Sequence, residues 1–362
     1  MGTAWGRGHC SDHITAMEML EGNNLSGQTH VVSGGNSGIA FSASLALAAK
    51  NASVIILPHN RSKGEAAVDK IRTATANNAV WSFPMELASF ASVRTAARTV
   101  QEVTASRISS LILVAGSSAG PKGAMPPITD DGFNYVIQAN YLGHVLLTNL
   151  LLPALRGARP AGRVIWVASA FKRDGGCATA KLAQGCLSLA NLERTLRTTS
   201  SKFIPSPTAG IEMDGMYFVS KWLDSIHAAA LARKEAAFGS GVVSYSLVPG
   251  DIWSPLVMNT GVDLMQHRKN FGCKGEGTPE HPNAGCRTSS FLTADQGASA
   301  LVHLAARRVM GRTGLANSGD RFSFCNKCTC PIDIPVGRLG ASSDYLDGLI
   351  HLTDNLTGSA DI

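Results

Sequence analysis

Short, unbroken apolar runs alternate with longer amphipathic stretches through most of the chain. The runs are Thr29–Ser33 (THVVS), Ser53–Leu57 (SVIIL), Ala79–Phe83 (AVWSF), Ser110–Ala115 (SLILVA), Arg163–Ala168 (RVIWVA) and Val242–Val248 (VVSYSLV). They lack the apolar–polar alternation of a strand with one wet face, so both faces must be covered. Between them, Phe41–Ala49, Lys63–Thr75, Ser89–Val103, Thr129–Leu155 and Met216–Phe238 predict helices. Strand and helix in strict alternation predict an α/β chain with a doubly wound parallel sheet and helices on both faces.

Two stretches interrupt the rhythm. Ala170–Asp214 follows the fifth run and is rich in Ser, Thr, Gly and Pro; Leu256–Leu292 follows the sixth and holds CKGEGTPEHPNAGC. Loops this long inside a compact domain are usually functional lids or disorder. Both leave the carboxyl ends of strands, where open α/β sheets bind ligands. The first two dozen residues show no periodicity and read as an irregular, flexible tail.

At 362 residues the chain is long for one α/β domain, yet one core with insertions fits better than two equal domains. Apolar residues make up 44% and charged residues 16%, which excludes a disordered protein. The net charge of +6 is spread along the chain, and aromatics are only 6%. A nucleic-acid groove needs clustered basic residues with aromatics between them, so no nucleic-acid partner is expected. An anionic ligand remains compatible with the charge. The N-terminal residues lack the apolar core of a secretory signal. The longest apolar stretch, Tyr141–Leu155, is short for a membrane span and contains His144 and Asn149. A cytoplasmic protein with no transmembrane segment is the expectation.

The first strand runs straight into Ser33-Gly34-Gly35-Asn36-Ser37-Gly38-Ile39-Ala40. Glycines there let the backbone turn sharply and approach a pyrophosphate seated on the following helix N-terminus. A lone glycine turn is weak evidence, but its place between the first strand and the first helix strengthens it. The second strand ends Leu57-Pro58-His59-Asn60-Arg61-Ser62-Lys63. It has no carboxylate to accept a ribose 2′-hydroxyl, whereas His59, Arg61 and Lys63 suit a 2′-phosphate, which favours NADP(H). The plainer alternative is a set of solvated residues at a helix start.

Tyr217 and Lys221 stand four apart on a predicted helix and therefore share a face. A free phenol titrates near pH 10, about three units from neutrality, and a neighbouring cation brings it closer by stabilising the phenolate. Such a tyrosine can give a proton to a carbonyl oxygen or take it back. The pair arises readily by chance. Ser169 at the end of the fifth strand and Asn140 in the helix after the fourth supply the context.

With those residues in this order, the chain resembles a short-chain dehydrogenase/reductase, nearest the retinol-dehydrogenase-like branch. The stretches that carry the resemblance include LSGQTHVVSGGNSGIA, TDDGFNYVIQANYLGHVLLTNLLLPAL, GRVIWVASA, YFVSKW, SLVPGDIWSPL and SGDRFSFC, spanning Leu25 to Cys325. The resemblance implies a single Rossmann-type domain at 25–330, with insertions at about 170–214 and 256–292, between a tail at 1–24 and a C-terminal tail at 331–362. It implies Tyr217 as acid/base, Lys221 on the nicotinamide ribose, Ser169 on the substrate oxygen and Asn140 holding a water that relays protons to Lys221. The cofactor set it implies is Ser33, Gly34, Asn36, Ser37, Gly38, Ile39, His59, Arg61, Glu86, Leu87, Ala115, Gly116, Pro249, Gly250, Ile252 and Ser254, together with Asn140, Tyr217 and Lys221. A homodimer or tetramer through the helices after strands four and five is the family habit.

This sequence departs from the family pattern at several points. Ala40 replaces the third turn glycine, Leu113-Val114-Ala115-Gly116 replaces Asn-Asn-Ala-Gly, and His59 replaces Arg. The Ser169–Tyr217 gap is several times the family's and reads as a substrate-side insertion. The expected substrate is a lipophilic ketone or aldehyde, such as a polyketide, terpenoid, steroid or retinoid in secondary metabolism. Two alternatives stay open: dehydration or cyclisation of a biosynthetic intermediate, which product mass would distinguish, and a non-catalytic NADP(H)-binding regulator. Cys325, Cys328 and Cys330, with Cys273, Cys286 or His281, offer a zinc set, but reduced thiols are the plainer reading and no metal is expected. His144 reads first as a packing histidine. Met213 and Met216 suit either an apolar pocket or core gaps.

Overall fold

The computed structural model describes residues 14–117, 128–169, 188–197, 215–250, 292–306 and 341–359, with 252, 278, 321–322 and 332–334. The six apolar runs form β1 (Thr29–Ser33), β2 (Ser53–Leu57), β3 (Val80–Ser82), β4 (Ser110–Leu113), β5 (Arg163–Val167) and β6 (Val243–Leu247). Short strands β7 (Arg321–Phe322) and β8 (Ile332–Ile334) extend the sheet, whose order is β3-β2-β1-β4-β5-β6-β7-β8. Pairing is parallel through β7, and β8 closes the edge antiparallel. The winding reverses between β1 and β4, which makes their carboxyl ends the crevice of the sheet.

The helices are α1 (Ala16–Met19), α2 (Gly38–Ala49), α3 (Arg61–Thr75), α4 (Phe90–Thr104), α5 (Tyr135–Ile137), α6 (Gly143–Gly157), α7 (Leu189–Leu196), α8 (Gly215–Phe238), α9 (Ala294–Ala306) and α10 (Ser343–Thr357). Successive strand residues point to opposite sides of the sheet. Val31, Ile55, Leu111, Val164 and Trp166 pack with α4, α6, α8 and α10. Val32, Val54, Ile56, Ile112 and Ile165 pack with α1, α2, α3 and α9. All ten are buried, and each contributes about 1.5–3 kcal/mol by leaving water. The continuous apolar runs are thus a consequence of two cores sharing one sheet. Most strands are trimmed by a residue or two relative to the sequence reading.

Four expectations need correction. The helix expected over Thr129–Leu155 starts only at Tyr135, where the Asn134 side chain accepts from the amides of Val136 and Ile137. It is then interrupted by a π-turn at Gln138–Leu142 before α6 begins. The N-terminal tail is not irregular throughout. Thr15 and Glu18 cap α1 reciprocally, Ile14, Ala16 and Leu20 are buried, and the Ala16 amide donates to Asp295 of α9 at 3.2 Å. The C-terminal tail contains α10, which lies on α6, α7 and α8 with Tyr345, Leu346, Leu349 and Ile350 buried. Asn149 donates to Asp354 and Ser359 (both 2.8 Å), and Arg94 donates to the Thr357 carbonyl (2.7 Å). Within the first insertion, α7 buries Leu192 and Leu196, and Arg197 stacks over Phe133. Partners remote in sequence hold α1, α7 and α10, yet α1 opens on a Thr15/Glu18 capping box and α7 and α10 bury residues at helical spacing, Leu192 with Leu196 and Tyr345, Leu346, Leu349 and Ile350.

Among the described residues, no helix is long and apolar enough to cross a membrane, and no His/Cys/Asp/Glu group is placed to hold a metal. Cys273, Cys286, Cys325, Cys328, Cys330, His281 and Met213 lie outside the described residues, as does nearly all of 256–292.

Candidate active site

The glycine turn is built by tying three strand ends together. Ser33 is fully buried at the end of β1, and its hydroxyl accepts from the amides of Val114 (2.8 Å) and Ala115 (3.0 Å) beyond β4. The Gly34 amide donates to the Leu57 carbonyl of β2 at 2.8 Å. The chain passes Asn36 and Ser37 and enters α2 at Gly38, whose φ is +58°. A side chain there is strained by the backbone, and none of the described atoms lies within 4 Å of where its Cβ would stand. Ser37 makes no side-chain cap to α2, whereas Asn60, Ser89 and Ser342 cap α3, α4 and α10. The first amides of α2 and the positive end of its dipole are therefore left for an anion. This chemistry fits a dinucleotide pyrophosphate.

On the β2–β3 side, His59 Nδ1 lies 2.5 Å from Glu86 Oε2. The second Glu86 oxygen accepts from the Ala88 amide at 2.8 Å. Two residues read separately from the sequence are thus joined. Arg61 opens α3 with a side chain 69% exposed, and its 3.9 Å approach to Glu65 is a weak surface pair. Leu87 is buried. Gly116 faces Asn140 so closely that a Cβ would stand 2.8 Å from its Oδ1, which leaves room only for glycine.

Asn140 sits in the π-turn and is wholly buried. Its side chain accepts from the Ser117 amide (2.8 Å) and donates to the Ser117 carbonyl (2.9 Å) and Ser220 Oγ (3.0 Å). Ser220 Oγ in turn donates to the Tyr217 carbonyl at 2.7 Å, which clips α8 to the π-turn. His144 lies between Asn140 and the glycine turn. Its Nδ1 is 2.9 Å from the Asn140 carbonyl, so that nitrogen carries the proton, and Nε2 accepts from Ser33 Oγ at 3.0 Å. Burial, with a smaller contribution from the Lys221 charge, brings the His144 pKa down to about 3, consistent with this neutral tautomer.

Tyr217 is buried on α8. Lys221, one turn on, donates to the Val167 carbonyl and to Asp224 Oδ2, both at 2.9 Å. Val167 is the last residue of β5, and half-buried Ser169 follows two residues later. The ammonium therefore sits at the strand end from which Ser169 projects, on the crevice side of the sheet. Burial pushes Asp224 up to about 6, although the Lys221 charge and hydrogen bond pull the other way. Past β6, Pro249 leads to Gly250 at φ +87°. Ile252 bridges to Leu292 and meets Ile39 at Gly297 of α9. Ser254 lies outside the described residues.

Asp224 lies outside the Tyr-x-x-x-Lys pattern. The available signal was a carboxylate three residues beyond Lys221, on the same helical face. His144 does more than pack: its bonds make it the link between the glycine turn and the π-turn.

The family model for short chain dehydrogenase matches residues 28–181. Human dehydrogenase/reductase SDR family member 13 is 33% identical over 236 residues, which is 65% of this chain and 54% of that protein. Human retinol dehydrogenase 13 is 35% identical over 159 residues, 44% of this chain and 46% of that protein. The chain thus spans about half the length of the curated relatives it matches. In fold it is similar to L-sorbose reductase from Gluconobacter frateurii, solved with NADPH and L-sorbose, at a TM-score of 0.55 and 16% identity over 88% of this chain and 99% of that one. Glycine turn, buried Tyr-x-x-x-Lys helix and these similarities converge: the chain is similar to short-chain dehydrogenases/reductases, near their retinol-dehydrogenase-like branch.

Proposed function

We propose that this chain is an NADP(H)-dependent oxidoreductase that interconverts a carbonyl and an alcohol on a lipophilic small molecule. The observation that carries the reading is the Lys221 ammonium anchored on Val167, at the strand end leading to Ser169 and one helical turn from Tyr217. NADP(H), when bound, supplies the hydride. Ser169 donates a hydrogen bond to the substrate oxygen, Tyr217 gives its phenolic proton to that oxygen, and the Lys221 ammonium stabilises the phenolate left behind. In the oxidising direction the same groups run in reverse. Asn140 ties the π-turn to α8 through Ser220.

The preference for NADP(H) rests on the β2 end, which offers exposed Arg61 and Lys63 and no carboxylate of its own. The solved L-sorbose reductase, similar in fold, holds NADPH. The lipophilic substrate class rests on the branch: one relative is a retinol dehydrogenase. The catalytic unit is one Rossmann-type domain of about residues 25–330. An assembly through α6 and α8 would need α10 displaced, because α10 lies on both.

The test is a panel of apolar ketones and aldehydes with NADPH, followed at the nicotinamide absorbance. Steady loss of signal with at least one compound, and a product heavier by two hydrogens, is expected. Tyr217→Phe should lower kcat by about 10²- to 10⁴-fold, the usual worth of a general acid, while leaving the melting temperature and NADPH affinity near wild type. Full activity in that variant would sink the reading.

A further inference from the structure

We propose that Asp224 is a positioning residue for Lys221, holding its ammonium at the end of β5 so that a single N–H stays free for the cofactor ribose. The proposal rests on the reading above and deepens it by adding a residue to the same site.

An ammonium has three donors and no acceptor. Two of those of Lys221 have acceptors, the Val167 carbonyl and Asp224 Oδ2, each at 2.9 Å. The two acceptors come from different elements, one from the sheet and one from α8 itself. Together they fix a side chain that otherwise turns about four bonds, and they leave one direction for the third N–H. Both partners are inside the protein, with side chains 5% and 2% exposed. A buried cation without a counter-charge is strongly unfavourable, so the carboxylate also keeps the ammonium in place before any ligand arrives.

The clasp is one-sided. Its second oxygen, Oδ1, is buried and has no hydrogen-bond partner among the described residues. The pair is therefore not the two-oxygen fork of a closed ion pair, and Lys221 is held through a single carboxylate oxygen. Oδ2 is committed to Lys221 at 2.9 Å. The ionisable neighbours do not compete for it. Tyr141 of the π-turn is bonded to His227 Nδ1 at 3.0 Å, and His144 to Ser33 and Asn140.

The experiment measures NADPH affinity by fluorescence titration for wild type, Asp224→Asn, Asp224→Leu, Lys221→Met, and the two double variants, with melting temperatures alongside. Asp224→Leu should weaken binding about tenfold and Asp224→Asn, which keeps an acceptor, about threefold. In the Lys221→Met background neither change should weaken it further. Wild-type affinity in both Asp224 variants, or a loss that persists undiminished without Lys221, overturns the proposal; so does Lys221→Met at wild-type affinity. If Asp224→Leu fails to fold, the Asn variant and its double decide by the same criterion. A wild-type protein that binds NADPH but reduces nothing on the panel refutes the carbonyl reading alone, and the binding cycle still decides Asp224. A wild type that binds neither NADPH nor NADH overturns both.

Discussion

Helix α8 carries a buried ion pair near each end, and the two are built differently. Near its C-terminus, Arg156 of α6 forks onto Glu235, with Nε to Oε2 at 2.9 Å and Nη2 to Oε1 at 2.7 Å. Burial pushes the Glu235 carboxyl up, but the hydrogen bonds from Arg156 and Ser240 and the Arg156 charge hold it below the ordinary carboxylate range. Near the N-terminus, Lys221 meets only one oxygen of Asp224, and there burial wins. The first pair is closed on itself and fastens α6 to α8. The second keeps bonding capacity in reserve at the crevice. One helix thus carries a closed pair and an open one, about three turns apart.

The largest expected effect comes from opening the closed pair. Arg156→Leu strands a fully buried carboxylate and should cost about 3 kcal/mol of stability, read as a lower urea midpoint, with kcat per folded molecule unchanged. An equal loss of kcat would show that the two ends of α8 are not separate.

Acid titration sharpens the contrast because the two carboxyls shift in opposite senses. Glu235 is depressed, so its contribution is present above the unfolded pKa near 4.5 and is lost as pH falls through the folded value. Asp224 is raised from 3.8 to about 6, so its ionisation opposes folding, and the associated stability is lost as pH rises from about 4 to 6. Comparing wild type with Asp224→Asn, the difference in unfolding free energy should change by up to about 1.4 kcal/mol per pH unit in that window and be flat above it. The Arg156→Leu difference should change in the opposite sense, widening as pH rises, because Arg156 holds the wild-type Glu235 down and burial pushes the stranded carboxyl up. A flat Asp224 comparison between pH 4 and 6 would refute the asymmetry.

The smallest effect concerns α10. Ser342 caps it by accepting from the Tyr345 amide at 3.2 Å, and Ser342→Ala should cost about 1 kcal/mol. Arg233 and Lys234, near the closed pair, bond Asp347 and Asp354 of α10, and Trp222 meets Tyr345. Hydrogen exchange should therefore quicken in α10 and along the face of α8 it contacts, Trp222 included, while the amides of β1 and β4 keep their protection. Uniform quickening along α8 would contradict a local effect.

What was legible in the sequence follows from the physics of each element. The strands announce themselves because Val32, Ile55, Ile112 and their neighbours feed two cores at once, which removes alternation and leaves an unmistakable run. The glycine turn is legible because Gly34 and Gly38 adopt positive φ, a demand few other residues meet. The π-turn was invisible, since Gln138–Leu142 is as apolar in pattern as the helix around it; its cause is tertiary, in the bonds of Asn140 and His144. Helices α1 and α10 differ in this respect. Helix α1 is a single turn tied to Asp295, 279 residues away, whereas α10 has a readable pattern, Ser342 before Tyr345, Leu346, Leu349 and Ile350 and Gly358 after them, and only its dependence on Asn149 is remote. Asp224 was visible as a letter but not as a contact, because helical spacing says which residues share a face and not which of them is buried.

The extra residue in the π-turn sets a rotational phase. Each residue of an ideal helix advances about 100°, so Gly143–Gly157 is offset by about that angle from where an uninterrupted continuation of Tyr135–Ile137 would place it. Deleting one residue between Gln138 and Leu142 would erase the offset. His144 would then swing away from Ser33, and the glycine turn would lose its connection to α8. The chain therefore times its two half-sites by residue count, and a change in length there is more damaging than a change in composition.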